Sequence, residues 1–217
     1  MRILDGDKLR VIGPVPLDIF SPLQDRVRDL QESDWQPIKR PAGRHVLYFK
    51  YNAEAWNNGE YHYTGRPLAA APFDDTVTYQ TWHGWKDLID PIVDVITAYF
   101  GVPAFMNKCF LNRLAPQGLL WPHWDDEPSM AVSKRIHLPV LTNGQVDFII
   151  GDETFHLEQG TLVEIDNIAI HSVKNHSDQY RVHLVMDFYH PDFIKELIYG
   201  RRERLPGESN FTIAYTP

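Results

Sequence analysis

The sequence predicts a mainly β protein with flanking helices, its core a barrel or sandwich of the jelly-roll kind. Three observations predict this. From Lys108 onward the chain becomes a series of short β-like runs: "KCFLNRLA", "KRIHLPVL", "VDFII", "ETFHL", "TLVEID" and "RVHLVMDFY". Turn signals separate them, at Pro116-Gln117-Gly118, Thr142-Asn143-Gly144, Gly151-Asp152 and Gln159-Gly160. Helical periodicity is confined to the flanks. Short strands at such close spacing form two-layered or closed sheets.

The elements follow in order. "VPLDIFSPLQDRVRDL" places Leu17, Phe20, Leu23, Val27 and Leu30 at helical spacing, with Pro22 setting the first turn. "HVLYFKY", His45 to Tyr51, is a strand. Asn52 to Trp85 is rich in Gly, Pro, Asn, Tyr and Trp and reads as loop. "GWKDLIDPIVDVITAYFG" is a second helix ending near Gly101, and "PDFIKELIYGRRERL" a closing helix. One domain is expected over 1–217. It has a helical and loop-rich part at 1–105, a jelly-roll core at 106–192, and a helix and tail at 193–217.

Composition narrows the function. With 43% hydrophobic and 23% charged residues over 217 positions, a sizeable core is available and wholesale disorder is excluded. The formal net charge is -8, and the one basic cluster, Arg201 to Arg204 ("RRER"), reads as a solvated helix end. No nucleic-acid or anionic-membrane partner is expected. Cys109 is the single cysteine, which excludes an intrachain disulfide or a cysteine-based zinc site. No apolar run approaches ~18 residues and no leader-like segment opens the chain, so a soluble cytoplasmic protein is expected.

The chemistry concentrates in "WPHWDDEP", Trp121 to Pro128. On a strand, residues two apart share a face, so His123 and Asp125 can aim an imidazole and a carboxylate at one point. Trp124 then turns the other way, into packing, and so does Asp126, which with Glu127 is a rival acid. A third ligand must come from elsewhere: His137, His156, His171, His176, His183 or His190. His171 has the most suggestive setting, opening "HSVKN" after a strand and a turn. Beyond it, Arg181 opens "RVHLVMDFY". A buried arginine facing into a barrel needs an anion, and its planar fork suits a carboxylate such as that of a dicarboxylic cosubstrate. Two histidines and a carboxylate on one face leave open metal positions, as in non-haem Fe(II) oxygenases.

At these residues the chain resembles the aspartyl/asparaginyl β-hydroxylase family of Fe(II)/2-oxoglutarate oxygenases. The stretches that carry the resemblance are "WPHWD", "RIHLPV", "NIAIHSV" and "RVHLVMDFYHPD", spanning roughly Phe110 to Asp192. The resemblance implies a cupin-like double-stranded β-helix and Fe(II), 2-oxoglutarate and O2 as cofactors. It implies iron ligands at His123 and His171, 2-oxoglutarate's far carboxylate at Arg181, and Arg135 and His137 near its chelating end. Asn112 falls where some relatives place a serine that helps hold the cosubstrate. Asp125 matches the branch that keeps His-x-Asp, whereas the animal protein-hydroxylating members have glycine there. The implied activity is hydroxylation of an amino-acid carbon in a free amino acid, a derived small molecule or a peptidyl residue.

Competing readings stand beside these. Arg135 and His137 could be barrel residues satisfied by backbone carbonyls. His183 and Asp187 alternate in register with Arg181 and face inward with it, His183 as a core or supporting histidine. His190 shapes a strand end. Trp56, Trp121 and Trp124 are either pocket walls or core. A cupin-like isomerase or lyase without 2-oxoglutarate, and a non-catalytic binding module, are the rival functions.

Overall fold

The computed structural model describes residues 8–38, 43–52, 76–125 and 133–190. In chain order the N-terminal elements are β1 (Leu9–Pro14), α1 (Leu17–Arg28), β2 (Gln36–Pro37), β3 (Arg44–Asn52), β4 (Thr76–Thr78) and α2 (Lys86–Phe100). Then come β5 (Phe105–Leu114), β6 (Leu119–His123), β7 (Ser133–Leu141) and β8 (Val146–Ile150). The last four are β9 (Glu153–Phe155), β10 (Thr161–Ile165), β11 (His171–Asn175) and β12 (Arg181–Tyr189).

The strands form two antiparallel sheets. The larger runs β1-β10-β7-β12-β5-β3-β2, with β4 added beside β3; the smaller runs β6-β11-β8-β9. From β5 to β12 the chain passes back and forth between the two sheets, which winds them into the jelly roll predicted from the strand spacing. The N-terminal part is less helical than its sequence suggests. "LRVIGP" becomes β1 along the edge of the larger sheet, paired with β10, and β2 and β3 extend the opposite side. The closing helix, Trp56, Arg201 to Arg204, Asp126 and Glu127 lie outside the described residues.

Strand alternation decides what faces the site. On β12, Val182, Leu184, Met186 and Phe188 point outward and join a core with Phe20, Leu23 and Val27 of α1 and Ile89, Ile92 and Ile96 of α2. The opposite face of the same strand carries Arg181, His183, Val185 and Asp187. Both faces are covered, so all nine residues of β12 are buried. Burying such Leu and Ile side chains is worth roughly 1.5–3 kcal/mol each, enough to hold charged residues on the inner face.

Both helices contain a proline. Pro22 sits in the second turn of α1, inside the helix rather than at its start, and Pro91 lies inside α2. Leu17, assigned from its spacing to the buried stripe of α1, is 74% exposed, because the helix begins there and its apolar face starts at Phe20. α2 ends as predicted at Gly101, whose φ of 67° is the left-handed cap that glycine adopts without a Cβ clash.

Candidate active site

The two histidines meet by strand pairing. β6 and β11 are neighbours, and His123 and His171 are direct cross-strand partners. Their side chains therefore share a face, with ring centroids 4.3 Å apart. Each ring donates Nδ1–H to the carbonyl two residues before it: His123 to Trp121 at 2.7 Å and His171 to Ala169 at 3.0 Å. That fixes the tautomer and leaves both Nε2 lone pairs for a metal. Burial also pushes the His171 pKa down, against the pull of Asp125, and so favours the neutral ligand form.

Asp125 completes the group. Donor atoms of His123, Asp125 and His171 all lie within 4.8 Å of one another. Strand alternation alone does not bring Asp125 to this point. β6 ends at His123, and Asp125 is held beyond it by two other bonds. Its backbone N–H donates to the Asn167 carbonyl at 3.0 Å, and its Oδ2 accepts from Arg135 Nη1. The other oxygen, Oδ1, faces His123 Nε2 at 4.0 Å. Burial alone would raise the Asp125 pKa; Arg135, then His171 and His123, outweigh it and hold the carboxylate ionised. Trp124 does not turn into packing: it is 57% exposed and borders the cavity at the mouth, while Trp121 is 65% exposed.

Arg135 is committed mainly to carboxylates of the protein. Nε and Nη2 donate to Asp187 Oδ1 and Oδ2, both at 2.8 Å, and Nη1 reaches Asp125. The pairing follows from register, since Arg135 and Asp187 are opposite each other on β7 and β12. Asp187 thus faces inward with Arg181, as its alternation predicts.

Behind the triad lies a cavity of about 250 Å³. Its wall includes Tyr48, Tyr51, Phe110, Phe148, His137, Asn112, Arg44 and Arg181. Arg181 is 2% exposed, and no carboxylate among the described residues pairs with it. Burial, with Arg44 nearby, brings its pKa down to about 9. Arg181 Nη2 donates to His183 Nδ1 at 2.6 Å. His183 Nδ1 also faces His137 Nδ1 at 3.2 Å, so the proton of that pair sits on His137. Burial keeps both rings neutral, their pKa values well below the ordinary 6.5. Arg181 Nε, His137 Nε2 and His183 Nε2 are buried without a hydrogen-bond partner. Orphaned buried polar groups, donor or acceptor, are costly unless a ligand satisfies them.

His156 and His176 do not join the site; they face Glu158 and Asp147 on the surface. Arg44, Tyr48 and Tyr51 are cavity residues that the sequence did not single out. The signal was there in part, because Arg44, Val46 and Tyr48 alternate at the start of the strand read from His45.

Two imidazoles that present Nε2 and an ionised carboxylate suit a divalent iron, and Arg181, without a carboxylate partner among the described residues, suits a carboxylate of a cosubstrate deeper in. Such a donor set on a jelly roll defines the 2-oxoglutarate-dependent non-haem iron dioxygenases. Within that class the sequence is specific. The family described as Aspartyl/Asparaginyl beta-hydroxylase matches residues 92–191, and that span, from α2 to just past β12, contains the triad and Arg181 of this chain. The chain is a hydroxylase of the 2-oxoglutarate-dependent iron type.

Solved structures share the fold. An oxidoreductase of the 2OG-Fe(II) oxygenase family from Burkholderia pseudomallei aligns with a TM-score of 0.59 at 13% identity, covering 86% of each chain. A prolyl hydroxylase from Trichoplax adhaerens, in complex with a hypoxia inducible factor peptide fragment, aligns at 0.55 and 10% identity over 89% of this chain and 88% of that one. HygX from Streptomyces hygroscopicus, with nickel and 2-oxoglutarate bound, aligns at 0.53 and 8% identity over 87% and 85%. No curated protein matches the chain by sequence. No helix among the described residues is long and apolar enough to cross a membrane.

Proposed function

We propose that His123, Asp125 and His171 hold Fe(II), that Arg181 takes the far carboxylate of 2-oxoglutarate, and that the product is a hydroxylated amino-acid carbon. The observation that carries this is the pair of Nε2 lone pairs, fixed by Nδ1–H donation, beside an ionised carboxylate at the mouth of a cavity with an unpaired guanidinium. When bound, iron with 2-oxoglutarate and O2 supplies an oxidant that places one oxygen atom on a substrate C–H as the cosubstrate becomes succinate and CO2.

The chain's own residues do the rest. His123 and His171 present Nε2 to the metal. Arg135 takes one oxygen of Asp125 and thereby leaves the other for the metal. His137, hydrogen-bonded to His183, walls the cosubstrate end. Tyr48, Tyr51, Phe110 and Phe148 keep that end apolar, so that each charge interaction is stronger than in water. The whole of 1–217 works as one oxygenase domain. The substrate is a free amino acid, a small molecule derived from one, or a residue in a peptide. With a net charge of -8, a cytoplasmic setting without nucleic-acid partners fits.

The test is succinate release with Fe(II) and ascorbate across free amino acids and short peptides, with mass spectrometry of the products. Metal-dependent succinate formation coupled to the gain of one oxygen atom is expected. Absence of metal binding, or metal binding without 2-oxoglutarate turnover on any substrate, would overturn the assignment.

A further inference from the structure

Arg44 is a second guanidinium in the cosubstrate end of the cavity, and sheet register explains how it arrives there. Leu114 of β5 is the Cα partner of both Arg181 on β12 and Arg44 on β3. The three residues form one row across neighbouring strands, and residues paired in this way share a face. Neighbouring strands lie about 4.8 Å apart, so the two arginine backbones stand roughly 10 Å apart with Leu114 between them. Both side chains line the same cavity. Two residues along β5, on the same face, Asn112 holds Arg44 in place: its Oδ1 accepts from Arg44 Nε at 3.2 Å. No carboxylate among the described residues pairs with either arginine, and their mutual repulsion helps lower the Arg181 pKa. Two cations thus line one cavity, neither of them in an ion pair with a carboxylate of the described residues.

We propose that Arg44 and Arg181 together grip the far carboxylate of 2-oxoglutarate, with Asn112 acting as a positioning residue for Arg44 rather than as a contact of its own. This rests on the cosubstrate assignment above and goes beyond it in adding Arg44 and reassigning Asn112. Arg44 is half-buried, whereas Arg181 is fully enclosed. Arg181 therefore forms the fixed wall of the grip and Arg44 its solvent-side partner.

The test is calorimetric titration of the Mn(II)-loaded protein, without O2, with 2-oxoglutarate and with 2-oxopentanoate, which lacks the far carboxylate. Arg44→Gln should weaken 2-oxoglutarate roughly 10- to 100-fold, as expected for one lost charge-assisted interaction, and leave 2-oxopentanoate unchanged. Asn112→Ala should shift the same ligand in the same direction by less. Mn(II) affinity and thermal unfolding of each variant identify any that are misfolded; for these, Arg44→Lys, which keeps the charge and loses the fork, replaces Arg44→Gln. If Arg44→Gln leaves 2-oxoglutarate binding unchanged, or weakens both ligands equally, while Arg181→Gln selectively weakens 2-oxoglutarate, the grip is wrong and the cosubstrate assignment stands. If Arg181→Gln is also without selective effect, or wild type does not distinguish the two ligands, both fall together.

Discussion

Replacing Arg135 with methionine separates what this residue does for the fold from what it does for the metal. Arg135 makes two bonds of 2.8 Å to Asp187, which is 0% exposed, and a third to Asp125. Removing one partner of such a buried pair typically costs about 3–5 kcal/mol, because the other charge stays buried and uncompensated. In a domain of this size that lowers Tm by roughly 6–20 °C. The same change frees Asp125 Oδ2, and losing a group that orients a ligand costs about 10- to 100-fold in metal affinity. The double variant Arg135→Met/Asp187→Leu removes the stranded charge and should recover most of the stability, since buried ion pairs are often replaceable by apolar residues. It should not recover metal affinity, because Asp125 still lacks its guanidinium. Urea unfolding and Mn(II) titration on the same samples read the two quantities. If the double variant binds Mn(II) like wild type, Arg135 serves the fold alone and its orientation of Asp125 is without consequence.

Other outcomes are equally specific. His171→Ala should lower Mn(II) affinity on the order of 100-fold or more in a metal titration, and normal affinity would move the site elsewhere. Asp125→Ala should weaken Mn(II) as well while leaving the thermal unfolding less affected than Arg135→Met does, since Asp187 keeps its partner. Gly101→Ala, at a φ of 67° in open space, should cost about 1–2 kcal/mol in urea unfolding without touching metal binding. Glu164 is buried beneath α2 with Lys134 at 3.5 Å and Arg10 at 3.9 Å. Burial raises its pKa above the ordinary 4.5 more than those cations lower it. The folded state then binds more protons than the unfolded one between those values, so this residue's stabilising contribution is full below pH 4.5 and is lost as pH rises through the raised value. The unfolding free energy of Glu164→Gln minus that of wild type should therefore increase with pH across that window, and a flat difference would show that the carboxyl is unperturbed.

Local pattern made much of the fold and half of the site readable. β12 is nine residues of strict alternation, and its two faces, apolar outward and Arg181, His183 and Asp187 inward, can be separated by counting. β1 was hidden because "LRVIGP" is short and carries its own breakers, and only pairing with β10 makes it a strand. Pro22 reads as a helix start, yet the burial of Phe20, Leu23 and Val27 carries α1 through it. In the site, the residue types were legible and the partners were not. Arg135 shows the limit: the family resemblance implies a place near the cosubstrate's chelating end, while its engagement with Asp187 depends on the register between β7 and β12, strands far apart in the chain. Arg44 was missed for the same reason, since β3 reaches the cavity only by joining β5 from outside the eight-strand winding.

The pairing of His123 with His171 also bears on how the empty protein behaves. Among the described strands, β6 is the outermost of the smaller sheet and has β11 as its single neighbour. Outermost strands present unsatisfied backbone groups and are the natural starting points for peeling and for mispairing with other chains. An ion bound by one residue from each strand acts as a rivet at the end of that ladder. By linkage it would hold β6 down by RT ln(1 + [metal]/Kd), about 2.7 kcal/mol at a hundredfold excess over Kd. Iron supply would then govern shelf life as well as turnover: a cell short of the metal would hold a stock of this protein that is inactive and also easier to nick and to aggregate.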